Sequence, residues 1–181
     1  TYHDERHPVG RFAARQSLTG PAVAVLPLSD DRPQLPADEE SSMFSLLIGY
    51  RYRSAAVVSG EQSADSDGVQ LVEELRGQPG TRVPHVWVRD GVSTLDLLGP
   101  GFTVLAGEER WRGAATSASA ALGIPITVHR VGDEAWAAAT GLAPGGALLV
   151  RPDDFVGWRA DELPADPEGE LCQALSAILC R

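Results

Sequence analysis

His3 and His7 stand four residues apart on a segment that reads as helix, the spacing by which one helical face holds zinc. The zinc-hydrolase pattern needs Glu directly after the first histidine. Here that residue is Asp4, and Pro8 is expected to distort the turn carrying His7, so the two read as a surface pair. Gly91-Val92-Ser93-Thr94-Leu95 partly matches a nucleophile elbow, but it lacks the second glycine and precedes an expected strand rather than a helix. Ser93 and Thr94 are therefore expected to hydrogen-bond locally at a turn, with Asp96 capping or ion-pairing beside them. His85, between Pro84 and Val86 at the entrance to a strand, reads as structural. The two cysteines, Cys172 and Cys180, fall on one expected helix. Eight residues of helix separate them by about 12 Å, too far for a disulfide. They read as reduced thiols, one or both in the core. All 15 basic residues are arginine, so the chain has no lysine for a Schiff base or a phosphate-binding loop. Gly-x-Gly-x-x-Gly is absent, and with it the usual pyrophosphate turn. No catalytic, cofactor-binding or metal-binding residue is thus expected on this chain.

The elements that would position these residues follow from periodicity. Residues 1–19 read as a helical arm interrupted at Pro8, since the residue before a proline is pushed away from helical angles. Residues 20–42, rich in proline and carrying Asp38-Glu39-Glu40, read as a connecting segment. Phe44, Leu46 and Ile48 alternate, as do Tyr50 and Tyr52 with Arg51 and Arg53, so 44–58 reads mostly as strand. The Tyr50–Arg53 stretch fits either an edge strand solvated by arginines or a domain-contact surface. Residues 59–81 read as an exposed loop.

Strands are expected near 83–88, 94–98 and 102–106, then a helix over 108–122 with Glu108 and Glu109 at its positive end and Gly123 as its stop. Ile124–Val131 reads as strand, and Asp133 as the cap of a short helix through Thr140. Residues 147–151 and 155–159 form an expected hairpin about Pro152-Asp153-Asp154. A last helix is capped by Asp166, opens on Pro167 and buries Leu171, Leu175, Ile178 and Leu179. Trp87, Trp111, Trp136 and Trp158 read as core or interface aromatics.

From residue 101 the order is β-α-β-(α)-β-β-α, the thioredoxin arrangement of a mixed sheet with helices on both faces. Thiol-disulfide chemistry on that fold needs a low-pKa cysteine at the start of the first helix. This chain has Ala106-Gly107-Glu108-Glu109-Arg110-Trp111 there, with no thiol and two carboxylates that would destabilise a thiolate.

Several stretches together carry a resemblance. They are Pro79-Gly80-Thr81-Arg82-Val83-Pro84-His85-Val86-Trp87, Ser93-Thr94-Leu95-Asp96-Leu97-Leu98-Gly99, Gly101-Phe102-Thr103-Val104-Leu105, and Leu148 through Arg159. In this order they resemble the C-terminal, thioredoxin-like domain of FAD-dependent aromatic hydroxylases, above all those acting on bacterial polyketides. Thr1 through Gly10 resembles the helix ending that family's FAD domain, with its Tyr-x-x-Glu-Arg-x-Pro pattern, and Gly49 through Ser54 a segment just before the C-terminal domain. The family's flavin motifs have no counterpart here. The resemblance therefore implies FAD and NAD(P)H for a parent enzyme and none for this chain. It implies a helical arm and connecting segment over 1–42, and a thioredoxin-like domain over 43–181.

Composition sets the remaining bounds. A net charge of −10 argues against partners made of nucleic acid or an anionic membrane. The absence of Lys and Asn points to a GC-rich bacterial source. No apolar run approaches the roughly 18 residues of a membrane span. The expected role is a structural or assembly domain of a cytoplasmic hydroxylase, docked on the flavin and substrate domains or self-associating. The alternatives are a stand-alone binding module and an independent redox enzyme.

Overall fold

The computed structural model describes residues 2–19, 41–59 and 69–181. The connecting segment expected over 20–42 lies outside these, apart from Ser41 and Ser42, as do residues 60–68 of the expected loop. Contacts divide the chain into two units. One comprises residues through Ser54 together with 69–74; the other comprises 55–59 and 75–181 among those described.

The first unit opens with helix α1, Tyr2–Thr19, which runs through Pro8 without interruption. His7 is helical, and its ring stacks on that of His3 at 4.8 Å between centroids, against the expectation that Pro8 would break the turn. The proline removes only the donor that would reach the Asp4 carbonyl. Buried polar anchors hold the helix on both sides of it. Glu5 accepts from the Ser54 hydroxyl at 2.6 Å, and the Gln16 side-chain oxygen from the Ser41 amide at 3.1 Å.

The strand expected over 44–58 is largely absent. Helix α2, Met43–Leu47, replaces its start, because the Ser42 hydroxyl accepts from the Ser45 amide and caps a turn there. Strand β1 is only Tyr50–Arg51, paired antiparallel with β2, Gln70–Leu71. The tyrosine and arginine faces separate as alternation requires: Tyr50 and Tyr52 are buried with ring centroids 5.6 Å apart.

The second unit is a four-stranded mixed sheet with helices on both faces. β3 (Trp87–Arg89) and β4 (Val92–Ser93) form a small hairpin beside it. The main sheet takes β5 (Phe102–Ala106), β6 (Ile126–Arg130), β7 (Ala147–Val150) and β8 (Val156–Ala160) in the order β6-β5-β7-β8. β5 and β6 are parallel and the other neighbours antiparallel. With α3 (Arg110–Leu122), α4 (Glu134–Thr140) and α5 (Pro167–Ile178), this is the expected thioredoxin-like order.

Central strands β5 and β7 are almost wholly buried, so they read as continuous apolar runs. Alternation on them divides two cores. Val104, Ala106 and Leu149 face α3 and α5, where Trp111, Ala115, Leu171 and Leu175 pack. Leu105, Leu148 and Val150 face the opposite layer, with Val83, Val86, Trp136 and Leu142. The expected caps hold: Asp133 accepts from the Trp136 amide, Asp166 from the Gly169 amide, and α3 ends on left-handed Gly123.

Two local expectations fail in this unit. Residues 95–97 form a 3₁₀ turn rather than a strand. The hairpin ends at Ser93 because Asp96 accepts from both its amide and its hydroxyl, which pulls the chain into a turn. The C-terminal end of the expected loop 59–81 is not exposed at Thr81, which is fully buried. It belongs to a stretch that pairs with β8: Gly80 donates to the Val156 carbonyl, and Val156 to that of Thr81. Of the four tryptophans expected in the core or at an interface, Trp111, Trp136 and Trp158 are buried and Trp87 is 61% exposed. No helix among the described residues is long and apolar enough to cross a membrane.

Candidate functional site

The start of α3 is where this fold would place a redox thiol, and the junction is closed by backbone. A side chain added at Gly107 would collide with the Pro144 carbonyl, and one added at Gly132 would sit 3.2 Å from the Gly107 Cα. Gly107 itself donates to the Gly146 carbonyl at 3.2 Å. One turn on, fully buried Trp111 donates its indole N–H to the Gly145 carbonyl at 2.9 Å and meets Trp158 edge-on at 5.7 Å. Three loops therefore meet here through glycine backbone and one plugging indole.

The same junction is the strand–glycine–helix turn at which a flavin dinucleotide could present its diphosphate to helix dipoles. It does not fit that group. The space beside Gly107 is filled by a carbonyl oxygen, and exposed Glu108 and Glu109 add negative charge at the helix start. The cysteines lie elsewhere: Cys172 is half-buried against the α3–α5 core and Cys180 is exposed, so of the one or both expected in the core only Cys172 reaches it, in part. Among the described residues no three of His, Cys, Asp and Glu converge as metal ligands.

The β3–β4 hairpin gathers the other residues singled out by sequence. Thr94 is fully buried. It donates to the Pro84 carbonyl at 2.6 Å, accepts from the Val86 amide at 3.1 Å, and its own amide bonds the Val86 carbonyl. Each of those buried backbone groups would otherwise cost about 1–3 kcal/mol if left unsatisfied. Ser93 donates its amide and hydroxyl to Asp96, each at 2.7 Å, and these bonds hold the Asp96 carboxyl below its usual range. Ser93, Thr94 and Asp96 are thus a locking device, as expected from their turn-forming types. Gly91, left-handed at φ 69°, supplies the tip that a two-residue hairpin needs.

On the outer side of β3 lie His85, Trp87 and Arg89, all exposed, while Val83 and Val86 are buried. The His85 ring stands edge-on to Trp87 at 5.0 Å. An open groove of about 440 Å³ adjoins them, lined by Trp87, Val88, Arg89, Asp90, Gly91 and Asp133. In sequence, His85 and Trp87 stand as separate candidates, Asp133 as a helix cap only, and Arg89 is not singled out. The period-two spacing of 85, 87 and 89 carried the signal.

His129, on β6, reaches the backbone of Leu97 beneath the 3₁₀ turn. Burial pushes its imidazole below the ordinary value of 6.5, with Arg112 and Arg89 adding to the effect and the Leu97 hydrogen bond opposing it. The unfolded chain then takes up this proton more readily than the folded one. The stabilisation is whole above about pH 6.5 and drains as pH falls from there to the folded pKa. A melting temperature that falls on acidification from about pH 7 to 5.5 is expected. His129→Gln should flatten that slope. An unchanged slope in the variant would assign it to other groups.

The first unit joins two further stretches, since Glu5 of the Tyr2–Pro8 segment bonds Ser54 of the Gly49–Ser54 segment. Burial raises the phenol pKa of Tyr52 between them.

Comparison with known proteins agrees with this architecture. The family model described as aromatic-ring hydroxylase, C-terminal, matches residues 76–181. The chain is 41% identical to tetracenomycin A2 monooxygenase-dioxygenase of Streptomyces glaucescens, across 100% of this chain and 33% of that protein. It is 39% identical to 4-methyl-5-nitrocatechol 5-monooxygenase of a Burkholderia species, across 100% of this chain and 35% of that protein. Among solved structures, aklavinone-11 hydroxylase in complex with FAD and aklavinone superposes with a TM-score of 0.75 at 35% identity, covering 100% of this chain and 35% of that one. The chain thus spans about a third of the length of the relatives it matches.

Proposed function

This chain belongs to the aromatic-ring hydroxylase C-terminal family, and on that premise we propose that it is the C-terminal part of a cytoplasmic FAD-dependent aromatic polyketide hydroxylase. Its own role is structural, in stabilising or assembling the enzyme. The rest of the polypeptide holds the flavin and the aromatic substrate, and uses NAD(P)H and oxygen. Residues 1–42 end the flavin domain, and 43–181 form the appended thioredoxin-like domain. The observation that carries this reading is coverage: the chain aligns from end to end with relatives about three times as long. The closed junction at Gly107 and Trp111 supports it, because the place where this fold would hold a thiol or a diphosphate is filled by backbone and indole.

The test compares chain 1–181 with the full-length polypeptide. The full-length protein is expected to purify yellow and to oxidise NAD(P)H when given an aromatic polyketide, and chain 1–181 to purify colourless. Flavin retained by chain 1–181 through gel filtration would overturn the assignment.

A further inference from the structure

We propose that the outer face of β3, formed by His85, Trp87 and Arg89 with the adjoining groove, is the surface on which the flavin-binding portion of the same polypeptide docks. The inference rests on the reading under Proposed function and goes beyond it by placing the contact. Trp87 is 61% exposed, whereas Trp111, Trp136 and Trp158 are 9% exposed or less. A bare indole beside a guanidinium on one strand face is the composition of an interface centre, where Trp and Arg carry most binding energy.

The platform is also prepared before any partner arrives. His85 props the indole edge-on at 5.0 Å, and Thr94 and Asp96 lock the backbone behind it. Such rigidity lowers the ordering cost of association.

Two observations choose the occupant. Relatives about three times as long supply a partner joined to this chain, and a tethered partner at roughly millimolar effective concentration needs only a small face. A second copy is the poorer fit, because a two-fold contact brings Arg89 toward its own copy on chains that each carry −10. The groove sets Arg89 beside Asp90 and Asp133 around the exposed indole, a mixed polar and aromatic face that suits a polar-rimmed apolar partner surface.

Hydroxyl-radical footprinting and amide exchange read this out on the full-length protein and on chain 1–181. Trp87 oxidation is expected to be at least about fivefold slower in the full-length protein, and exchange over 85–93 slower as well, as for a residue that becomes an interface centre. Arg89→Glu, at an exposed site that leaves the fold intact, should restore much of the lost reactivity. Equal reactivity in the two proteins overturns the proposal. So does protection within chain 1–181 that grows with its concentration, which would assign the face to a second copy. Flavin content of the same full-length sample is read separately: a colourless full-length protein sinks the hydroxylase reading, whatever the footprint.

Discussion

Trp111→Ala is expected to lower the stability of the sheet unit by about 3–5 kcal/mol, the usual cost of removing a large aromatic from a closed core. The residue is fully buried between α3 and the loop at 143–146, against Trp158 and at the centre of the α3–α5 core. Truncation also leaves the Gly145 carbonyl without its indole donor. Domains commonly hold only about 5–15 kcal/mol in all, so a large part of the margin goes. Urea unfolding measures it as a midpoint displaced by more than about 1 M. Trp111→Phe restores much of the volume but not the hydrogen bond and should recover part of the loss. A midpoint within error of wild type for Trp111→Ala would show that the three-loop junction does not depend on the plug.

The second large effect is expected from Gly107→Cys, which puts a thiol where the fold would hold one for redox work. Its Cβ meets the Pro144 carbonyl, and Gly132 packs from the other side. Backbone must move on at least one of three loops, an overpacking cost of about 3 kcal/mol or more. Melting should fall by roughly 10 °C, given the entropy of unfolding for a unit of this size. Disulfide-reductase activity should not appear. A melt equal to wild type, with a reactive low-pKa thiol, would mean that the closed junction is not what keeps redox chemistry off this domain. Gly107→Ser tests the steric part alone and should show the same fall.

The elements that were legible share one property: their signals were local and strong. Asp133 and Asp166 announced their helices as caps, Gly123 its helix end, and Ala147–Val150 its buried strand through an unbroken apolar run. The misreadings arose where two local signals competed. Alternation at Phe44, Leu46 and Ile48 suggested a strand, yet one serine hydroxyl at Ser42 was enough to start a turn of helix. At 94–98 the apolar residues again suggested a strand, and the Asp96 carboxylate closing on Ser93 decided otherwise.

At Pro8 the local rule predicts a break. The rule lost to tertiary anchors at Ser41 and Ser54, 25 and 49 residues away from their partners. The site was legible only as separate residues. Nothing in sequence says that Gly107 meets Pro144, because a missing side chain reports a close neighbour without naming it.

The short stretch at 55–59 separates the piece that folds from the piece that the family comparison recognises. The family match begins at residue 76. Yet Val58 donates to the Gly157 carbonyl, the Ala56 carbonyl accepts from Arg151, and Ala56 is buried in the α3–α5 core. Twenty residues upstream of the recognisable boundary, the chain already contributes to the outer edge of β8. Between the two, residues 69–74 belong to the other unit. A gene fusion that carried only the recognisable segment to a new host would leave part of its own fold behind. The unit that can be inherited intact is therefore larger than the unit that similarity marks.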